Sequence, residues 1–393
     1  APVSRRAFAA LSFAAFASAA SMRVTDALLP RLAAEFDVGL GVAAQVITGF
    51  AITYGVLQAV YGIAGDRFGK YRLVAWACVA SAGASLLCAL APGFGALVAA
   101  RCLAGGTVAA VIPLAMAWIG DVVPYERRQP VIARFLIGQI FGLASGQFVG
   151  GLAADLGSWR APFVALALWF AVAGVVLLRM RVRVVDRRTT PETGAVRAGA
   201  LAGFRYVLRQ RWARVVLVTV FLEGIALFGP LAFLATHLHR VYGLPLAVAG
   251  GILMLYGAGG LVFAWLSPLL VRRLGETGLA AGGGALLCAA LLVIGLSTQW
   301  PLAVAGAFFA GIGFYMLHNT LQTHATQMAP ERRGAAVALF ASAFFLGQSV
   351  GVALASAAVE HVATPPIIVA GALATLAIGL AFSRLLAAHR PHG

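Results

Sequence analysis

Four ionisable residues inside long apolar stretches could do chemistry in this sequence: Asp26, Arg101, Glu223 and His318. A charge in the middle of a bilayer costs about 2.5–3.5 kcal/mol on insertion scales, so such residues pair with one another or line an ion or substrate pathway. Imidazole also changes its charge near neutral pH. We therefore predict that these four side chains take part in proton coupling within a cavity.

Asp26 and Arg101 are predicted to interact with each other. Counted from opposite faces of the membrane, the two residues reach a similar depth in their predicted helices. Our hypothesis is that Asp26 exchanges its proton as its pairing with Arg101 changes, and the alternative is a permanent structural ion pair. Arg23 could compete for the same carboxylate, because residues three apart share a helix face.

Glu223 is the leading candidate in the second half of the chain, because it lies near the middle of a predicted membrane helix. It could bind a proton or a cationic substrate, or it could form a structural hydrogen bond to a neighbouring helix. His318 could likewise be a donor in helix packing. The aromatic and amide residues predicted to line a cavity for organic molecules are Tyr54, Gln139, Tyr256, Tyr315, Asn319, Gln322 and Gln348.

The elements that must hold these residues are membrane helices. Of the 393 residues, 61% are hydrophobic and 11% are charged, and the mean hydropathy is +0.93, which is far from the globular average. Since a helix needs about 20 apolar residues to cross a bilayer, we predict an all-α membrane protein with twelve transmembrane helices. The predicted spans are residues 8–32, 41–64, 72–91, 95–120, 130–154, 161–180, 213–238, 244–271, 277–297, 301–327, 335–360 and 364–386.

One long polar interruption, residues 181–212, divides the chain into halves of six predicted spans each, 1–180 and 213–393. The halves also share short patterns, since Gly138-Gln139-Ile140-Phe141-Gly142 is similar to Gly347-Gln348-Ser349-Val350-Gly351, 209 residues later. Transporter folds commonly contain such repeats. We therefore predict two pseudo-symmetric six-helix bundles joined by a cytoplasmic linker.

The formal net charge of +16 comes mostly from arginines in the loops on one predicted side of the membrane. Because Lys and Arg of short loops stay on the cytoplasmic side, both termini are predicted to be cytoplasmic. Membrane topology explains the basic charge, so we expect no nucleic-acid partner. The expected partners are the lipid bilayer, protons and a small organic substrate, and the chain is expected to be a monomer.

The segment from Gly62 to Arg72 lies between two predicted spans and reads Gly-x-x-x-Asp-Arg-x-Gly-Lys-x-Arg. This pattern resembles the signature loop between helices 2 and 3 of the major facilitator superfamily, whose members carry small molecules across membranes by alternating access. The resemblance implies that a charge cluster here, together with span 11, stabilises the outward-facing state, and the alternative is topological anchoring alone. The predicted cytoplasmic gate residues are Gly62, Asp66, Arg67, Gly69, Lys70, Arg72 and Asp121.

Two further segments are similar to patterns of the same family. The segment Leu97-x-x-x-Arg101-x-x-Ala104-Gly105 resembles the signature that buries an arginine in span 4. The pattern Asp26-x-x-x-Pro30 in span 1 resembles one found in twelve-span drug and metabolite exporters.

Span 5 carries a glycine pattern that resembles the exporter signature Gly-x-x-x-Gly-Pro-x-x-Gly-Gly. Small residues on one helix face let two helices approach closely, and the resemblance implies that this face meets span 8. Gln147 replaces the proline of the signature, so we expect the kink to be absent or weak. The predicted packing glycines are Gly142, Gly146, Gly150 and Gly151.

The sequence as a whole predicts a secondary transporter, most like the twelve-span drug or metabolite:proton antiporters, that exports a small organic molecule across a bacterial inner membrane. The alternative is a proton-coupled symporter or a facilitator for uptake of a sugar, nucleoside or organic acid, which the missing proline favours. Converging nucleophiles, metal ligands and phosphate-binding loops are not found in the sequence. An enzyme is therefore not predicted, and neither a cofactor nor a metal is expected.

Overall fold

The computed structural model describes residues 5–123, 125–180 and 202–389, which form helices with no β-strand among them. Most of the predicted linker, residues 181–201, lies outside this described part of the chain, and residues 202–209 of the linker are helical.

The first nine helices precede the linker. They are α1 (Arg5–Arg23), α2 (Leu29–Phe36), α3 (Leu40–Ala43), α4 (Gln45–Phe68), α5 (Lys70–Ala89), α6 (Phe94–Val108), α7 (Val111–Val122), α8 (Tyr125–Asp155) and α9 (Ala161–Arg179). After the linker come α10 (202–209), α11 (Arg211–Tyr242), α12 (Leu246–Leu296), α13 (Trp300–Gln327), a 3-10 turn (Pro330–Arg332), α14 (Arg333–Val359) and α15 (Thr364–His389).

Ten helical segments of the described residues are long and apolar enough to cross a membrane. One of them, α12, has 51 residues, more than twice the roughly 20 that a bilayer requires. Within α12, Gly275 has a φ of 62° and interrupts the helical backbone. Only glycine adopts this left-handed backbone at little cost, so Gly275 separates two membrane-length helices.

The prediction of one continuous helix over residues 8–32 is wrong. Helix α1 ends at Arg23 and α2 begins at Leu29. A proline lacks an N–H and its ring clashes with the carbonyl four residues earlier, and for Pro30 that carbonyl belongs to Asp26. The Asp-x-x-x-Pro pattern thus interrupts the helix at its own aspartate. Pro113 likewise lies four residues after Ala109, which is in the turn between α6 and α7.

Glycines allow two pairs of helices to pack backbone to backbone. A Cβ on Gly142 would lie 2.3 Å from the carbonyl oxygen of Phe16 on α1, and a Cβ on Gly351 would lie 2.5 Å from that of Ile225 on α11. Both members of the second contact lie 209 residues after those of the first. The sequence repeat therefore corresponds to repeated packing, α1 against α8 and α11 against α14.

The expectation that the span 5 glycines all meet span 8 is wrong in part. Gly142 and Gly146 approach carbonyl oxygens of α1, and Gly150 approaches that of Val24, the residue after α1, because residues four apart share one helix face. Only Gly151, one position further round the helix, approaches span 8, at the carbonyl of Leu246. Helix α8 runs unbroken from Tyr125 to Asp155 across the glutamine that replaces the signature proline.

Candidate functional site

Asp26 pairs with Arg23, not with Arg101. Its Oδ2 lies 3.2 Å from Nη1 of Arg23, and the Asp26 side chain has no solvent exposure. The break after α1 turns both residues inward, since Arg23 ends the helix and Asp26 lies in the turn that follows. The predicted pair of Asp26 with Arg101 is therefore replaced by a pair within one turn of chain.

Arg101 is buried on α6 and binds main-chain oxygens instead of a carboxylate. Its guanidinium donates hydrogen bonds to the carbonyls of Val46 and Ser21, both at 3.2 Å. Its Cζ lies 4.2 Å from the ring centre of Phe50, a cation–π contact that is worth about 2 kcal/mol when desolvated. The carbonyl of Ser21 lies in the last turn of α1, so Arg101 stabilises the helix just before it opens.

Glu223 and His318 form a second buried pair, between α11 and α13. Oε2 of Glu223 lies 2.8 Å from Nδ1 of His318. The carboxylate has no exposure, whereas 14% of the His318 side chain is exposed. The imidazole stacks on Phe314 with 4.8 Å between ring centres, which fixes its orientation.

Arg23 connects the two pairs. Its guanidinium carbon lies 4.3 Å from the ring centre of Phe228, on the same helix as Glu223. Tyr256 on α12 and Tyr315 on α13 both pack on Phe314, with 5.6 and 5.1 Å between ring centres. Helices from before and after the linker therefore meet at a group that we call the central cluster: Arg23, Asp26, Glu223, Phe228, Tyr256, Phe314, Tyr315 and His318.

Three buried polar atoms of the central cluster have no hydrogen-bond partner among the described residues. They are Oδ1 of Asp26, Oε1 of Glu223 and the hydroxyl of Tyr256. A buried polar group without a partner costs about 1–3 kcal/mol. The central cluster therefore has two acceptors and one hydroxyl that can bind a proton or a polar group of a ligand.

The other predicted cavity residues are spread over several surfaces. Tyr54 is buried and its ring packs on Phe345 of α14, with 4.2 Å between centres. Gln348 is buried where α14 packs on Gly224 of α11. Gln139 is half-buried, and the remaining two predicted residues are exposed, so the structure does not bring them into the central cluster: Asn319 and Gln322.

Sequence comparison decides the family. A profile described as "Major Facilitator Superfamily" matches residues 11–352. This chain belongs to the Major Facilitator Superfamily. The family and its named relatives are transporters, so the chain is a membrane transport protein and not an enzyme, as the sequence predicted.

Individual members of the superfamily resemble the chain over most of its length. An uncharacterised MFS-type transporter, YceJ of Bacillus subtilis, is 25% identical over 336 residues, covering 84% of this chain and 83% of the relative. The puromycin resistance protein pur8 of Streptomyces alboniger is 26% identical over 437 residues, covering 92% and 84%. A crystal structure of a mutant nucleoside transporter, NupG, has the same fold, with a TM-score of 0.80, 14% identity, and 98% and 100% coverage.

The superfamily's signature loop has a defined ion pair. Nζ of Lys70 lies 2.7 Å from Oδ2 of Asp121 on α7, and Gly69 has a φ of 86° where α4 turns into α5. Arg67 and Arg72 are exposed. The side chain of Asp66 lies outside the described residues, and a Cβ on Gly62 would meet no atom within 4 Å.

At the end of the molecule opposite the signature loop, two carboxylates accept hydrogen bonds from N–H groups at the starts of helices. One of these helices precedes the linker and the other follows it. Asp155, which ends α8, accepts hydrogen bonds from the N–H groups of Leu246 and Ala247 at 3.0 and 2.7 Å. Glu360, just after α14, accepts one from the N–H of Gly41 at 2.5 Å. We call these two contacts the carboxylate caps and their location the capped end.

The carboxylate caps are related by the internal repeat, because Glu360 follows Asp155 by 205 residues and Leu246 follows Gly41 by the same number. The first N–H groups of a helix have no partner within the helix. Here the residues that precede each start, Gly39 and Pro245, make no side-chain cap. The sequence alone did not indicate these carboxylates, because each one lies far along the chain from the N–H groups that it caps.

Proposed function

We propose that this chain is a secondary transporter that moves a small organic molecule by alternating access, with export coupled to proton entry. We further propose twelve spans in two six-helix bundles, residues 1–180 and 213–393, in a monomer. Both termini and the Lys70–Asp121 pair would lie on the cytoplasmic side of a bacterial inner membrane.

The count of twelve is supported by two features of the helices. Division of α12 at Gly275 adds one span to the ten apolar segments. The broken pair of α1 and α2 adds another. Helix α1 has 19 residues but is not among the ten apolar segments, and residues 5–36 together have the length of a span. The arginines at the ends of these helices then fall on the side that the positive-inside rule assigns to the cytoplasm.

The central cluster is the observation that supports coupled transport. Two carboxylates lie buried among membrane helices, Asp26 beside Arg23 in the turn after α1 and Glu223 beside His318. Such groups are costly in a bilayer and are characteristic of ion and proton pathways. Asp26 comes from the first half and Glu223 from the second, and each ion pair lies within its own half. Rocking of one half against the other would therefore change the contacts between the pairs, such as that of Arg23 with Phe228.

The geometry supports a specific sequence of proton and substrate binding. A proton that reaches the exposed edge of His318 can pass along its 2.8 Å contact to Glu223 without movement of the main chain. A cationic substrate can form an ion pair with Glu223 only when that carboxylate is charged, because the protonated acid offers a ligand no negative charge. Proton and substrate would thus compete for one carboxylate, which is the condition for exchange in opposite directions.

The carboxylate caps support one conformational state. They join α8 to α12 and α14 to the start of the second span, so the capped end is held closed across the two halves. In the proposed orientation the capped end is periplasmic. The described conformation is then one in which the central cluster is shielded from the periplasm.

Uptake is the second candidate, and one observation favours it. The exporter signature has a proline where this chain has Gln147, and α8 is unbroken there. Resistance proteins such as pur8 instead favour export. A symporter would carry proton and substrate in the same direction, so the direction of proton flux separates the two proposals.

The test is substrate-dependent proton flux in proteoliposomes that contain a pH-sensitive dye. Cationic drugs, nucleosides, sugars and organic acids are screened with the wild type and with Glu223→Gln. Opposite fluxes that lose coupling in Glu223→Gln support the proposal. Fluxes in the same direction, or substrate movement with no proton movement, contradict it.

Asp37→Asn is the matched control. Asp37 is an exposed carboxylate near Asp26 in sequence, and asparagine tolerates its φ of 50°. The variant removes the same charge outside the central cluster, so it should leave coupling unchanged. Equal losses in both variants would show that net charge, and not the central cluster, controls proton flux.

A further inference from the structure

A groove on the outer surface of the helix bundle lies between α11 and α15. Its volume is about 640 Å³. Its walls include Val218, Leu222 and Leu385, each more than 40% exposed, and Phe382 forms its buried floor. The hydroxyl of Thr219, also in the lining, donates to a carbonyl of its own helix at 2.8 Å, so the described lining suits an apolar occupant.

Two arginines mark one end of the groove. Arg211 and Arg214 line it from the first turn of α11 and share a helix face because they are three residues apart. Both are exposed, and neither has an ion-pair partner among the described residues. Positive charge over an apolar groove complements an amphipathic anion.

The depth of the groove matches one membrane leaflet. From Arg211 to Leu222 the helix rises about 16 Å at about 1.5 Å per residue. Half of a hydrocarbon core of about 30 Å is about 15 Å. Trp212, beside the two arginines, stacks on His389 with 3.9 Å between ring centres, and tryptophan is enriched at the headgroup level.

We propose that this groove binds one anionic phospholipid, with its phosphate at Arg211 and Arg214 and an acyl chain along α11 and α15. The site is separate from the central cluster and does not depend on the direction of transport. Its ligand is selected by charge at the headgroup, since the apolar part of the groove accepts any acyl chain.

Native mass spectrometry of the full chain in detergent tests the proposal. Phosphatidylglycerol and phosphatidylcholine with the same acyl chains are titrated separately. Two basic residues near an anionic headgroup should favour phosphatidylglycerol by about 30-fold. The variant Arg211→Gln/Arg214→Gln should reduce this preference to about 3-fold or less.

Two further variants keep the test specific. Arg272→Gln/Arg273→Gln removes two exposed arginines outside the groove and should retain the preference. Val218→Trp fills the groove from an exposed wall position and should weaken binding of both lipids by at least about 10-fold, because the acyl chain loses apolar contacts with the groove.

Three results would overturn the proposal. Equal affinity for the two lipids would remove the headgroup site. An equal loss in the Arg272/Arg273 control would assign the preference to overall charge. A dimer in the mass spectrum that Val218→Trp converts to monomer would make the groove an interface between two copies of the chain.

Discussion

Removal of the carboxylate caps should open the capped end of the transporter. In Asp155→Ala/Glu360→Ala, three N–H groups lose their acceptors: those of Gly41, Leu246 and Ala247. Loss of a helix cap typically costs about 1 kcal/mol, so two caps amount to about 2 kcal/mol. Since 1.4 kcal/mol is a factor of ten, the ratio of closed to open molecules should fall about 30-fold.

Spin-label distances across the capped end measure this ratio. Labels at Ser158, after α8, and at Val241, at the end of α11, are both exposed and lie beside the contact between α8 and α12. The wild type should show a short distance, and the double variant should add a longer one. Asp155→Asn/Glu360→Gln keeps an acceptor and should have a smaller effect, because only the charge is lost.

An unchanged distance distribution in the folded double variant would refute this reasoning. It would show that the caps form without stabilising the closed state relative to the open one. A change of equal size in the Asn/Gln variant would show that helix-dipole charge, and not the hydrogen bonds, provides the stabilisation.

Three other predictions concern stability. Gly150→Ala should lower the free energy of unfolding by about 1–3 kcal/mol through overpacking, because its Cβ would lie 2.1 Å from a carbonyl oxygen. The control Gly62→Ala should leave the free energy of unfolding unchanged, and thermal unfolding in detergent measures both variants. Arg101→Lys should destabilise the fold by about 2 kcal/mol or more, because lysine cannot reproduce the planar fork of arginine; an unchanged melting temperature would contradict the assigned hydrogen bonds. A double-mutant cycle of Lys70→Met and Asp121→Asn should give a coupling free energy of unfolding below about 1 kcal/mol that weakens with salt. A larger coupling free energy that does not respond to salt would contradict a partly exposed ion pair.

The sequence alone was sufficient for the family and for the helical membrane class. Long apolar stretches leave no other way to satisfy the backbone in lipid. The signature loop, the buried arginine and the glycine pattern then indicated the superfamily, which the profile match confirmed. These features are local, so their meaning does not depend on which helices become neighbours.

The partners of the ionisable residues required the tertiary structure. For Asp26 the sequence left two partners, Arg101 by depth and Arg23 by its spacing of three residues, and the structure pairs Asp26 with Arg23. Glu223 and His318 are 95 residues apart in sequence, and no periodicity within one helix indicates which face meets which. The packing of α11 on α13 made them a pair.

The glycine pattern shows the same division between sequence and fold. Its spacing identified a face that packs closely, but a helix has several neighbours. Three of the four glycines proved to meet α1 or the residue that follows it, Val24. The carboxylate caps were invisible in sequence because Asp155 and Leu246 belong to different helices. The sequence determined which residues had to be buried and that they lay in membrane helices. Only the assembled helices decided which buried polar groups became partners, because partnership depends on the rotation and register of segments that are far apart in the chain.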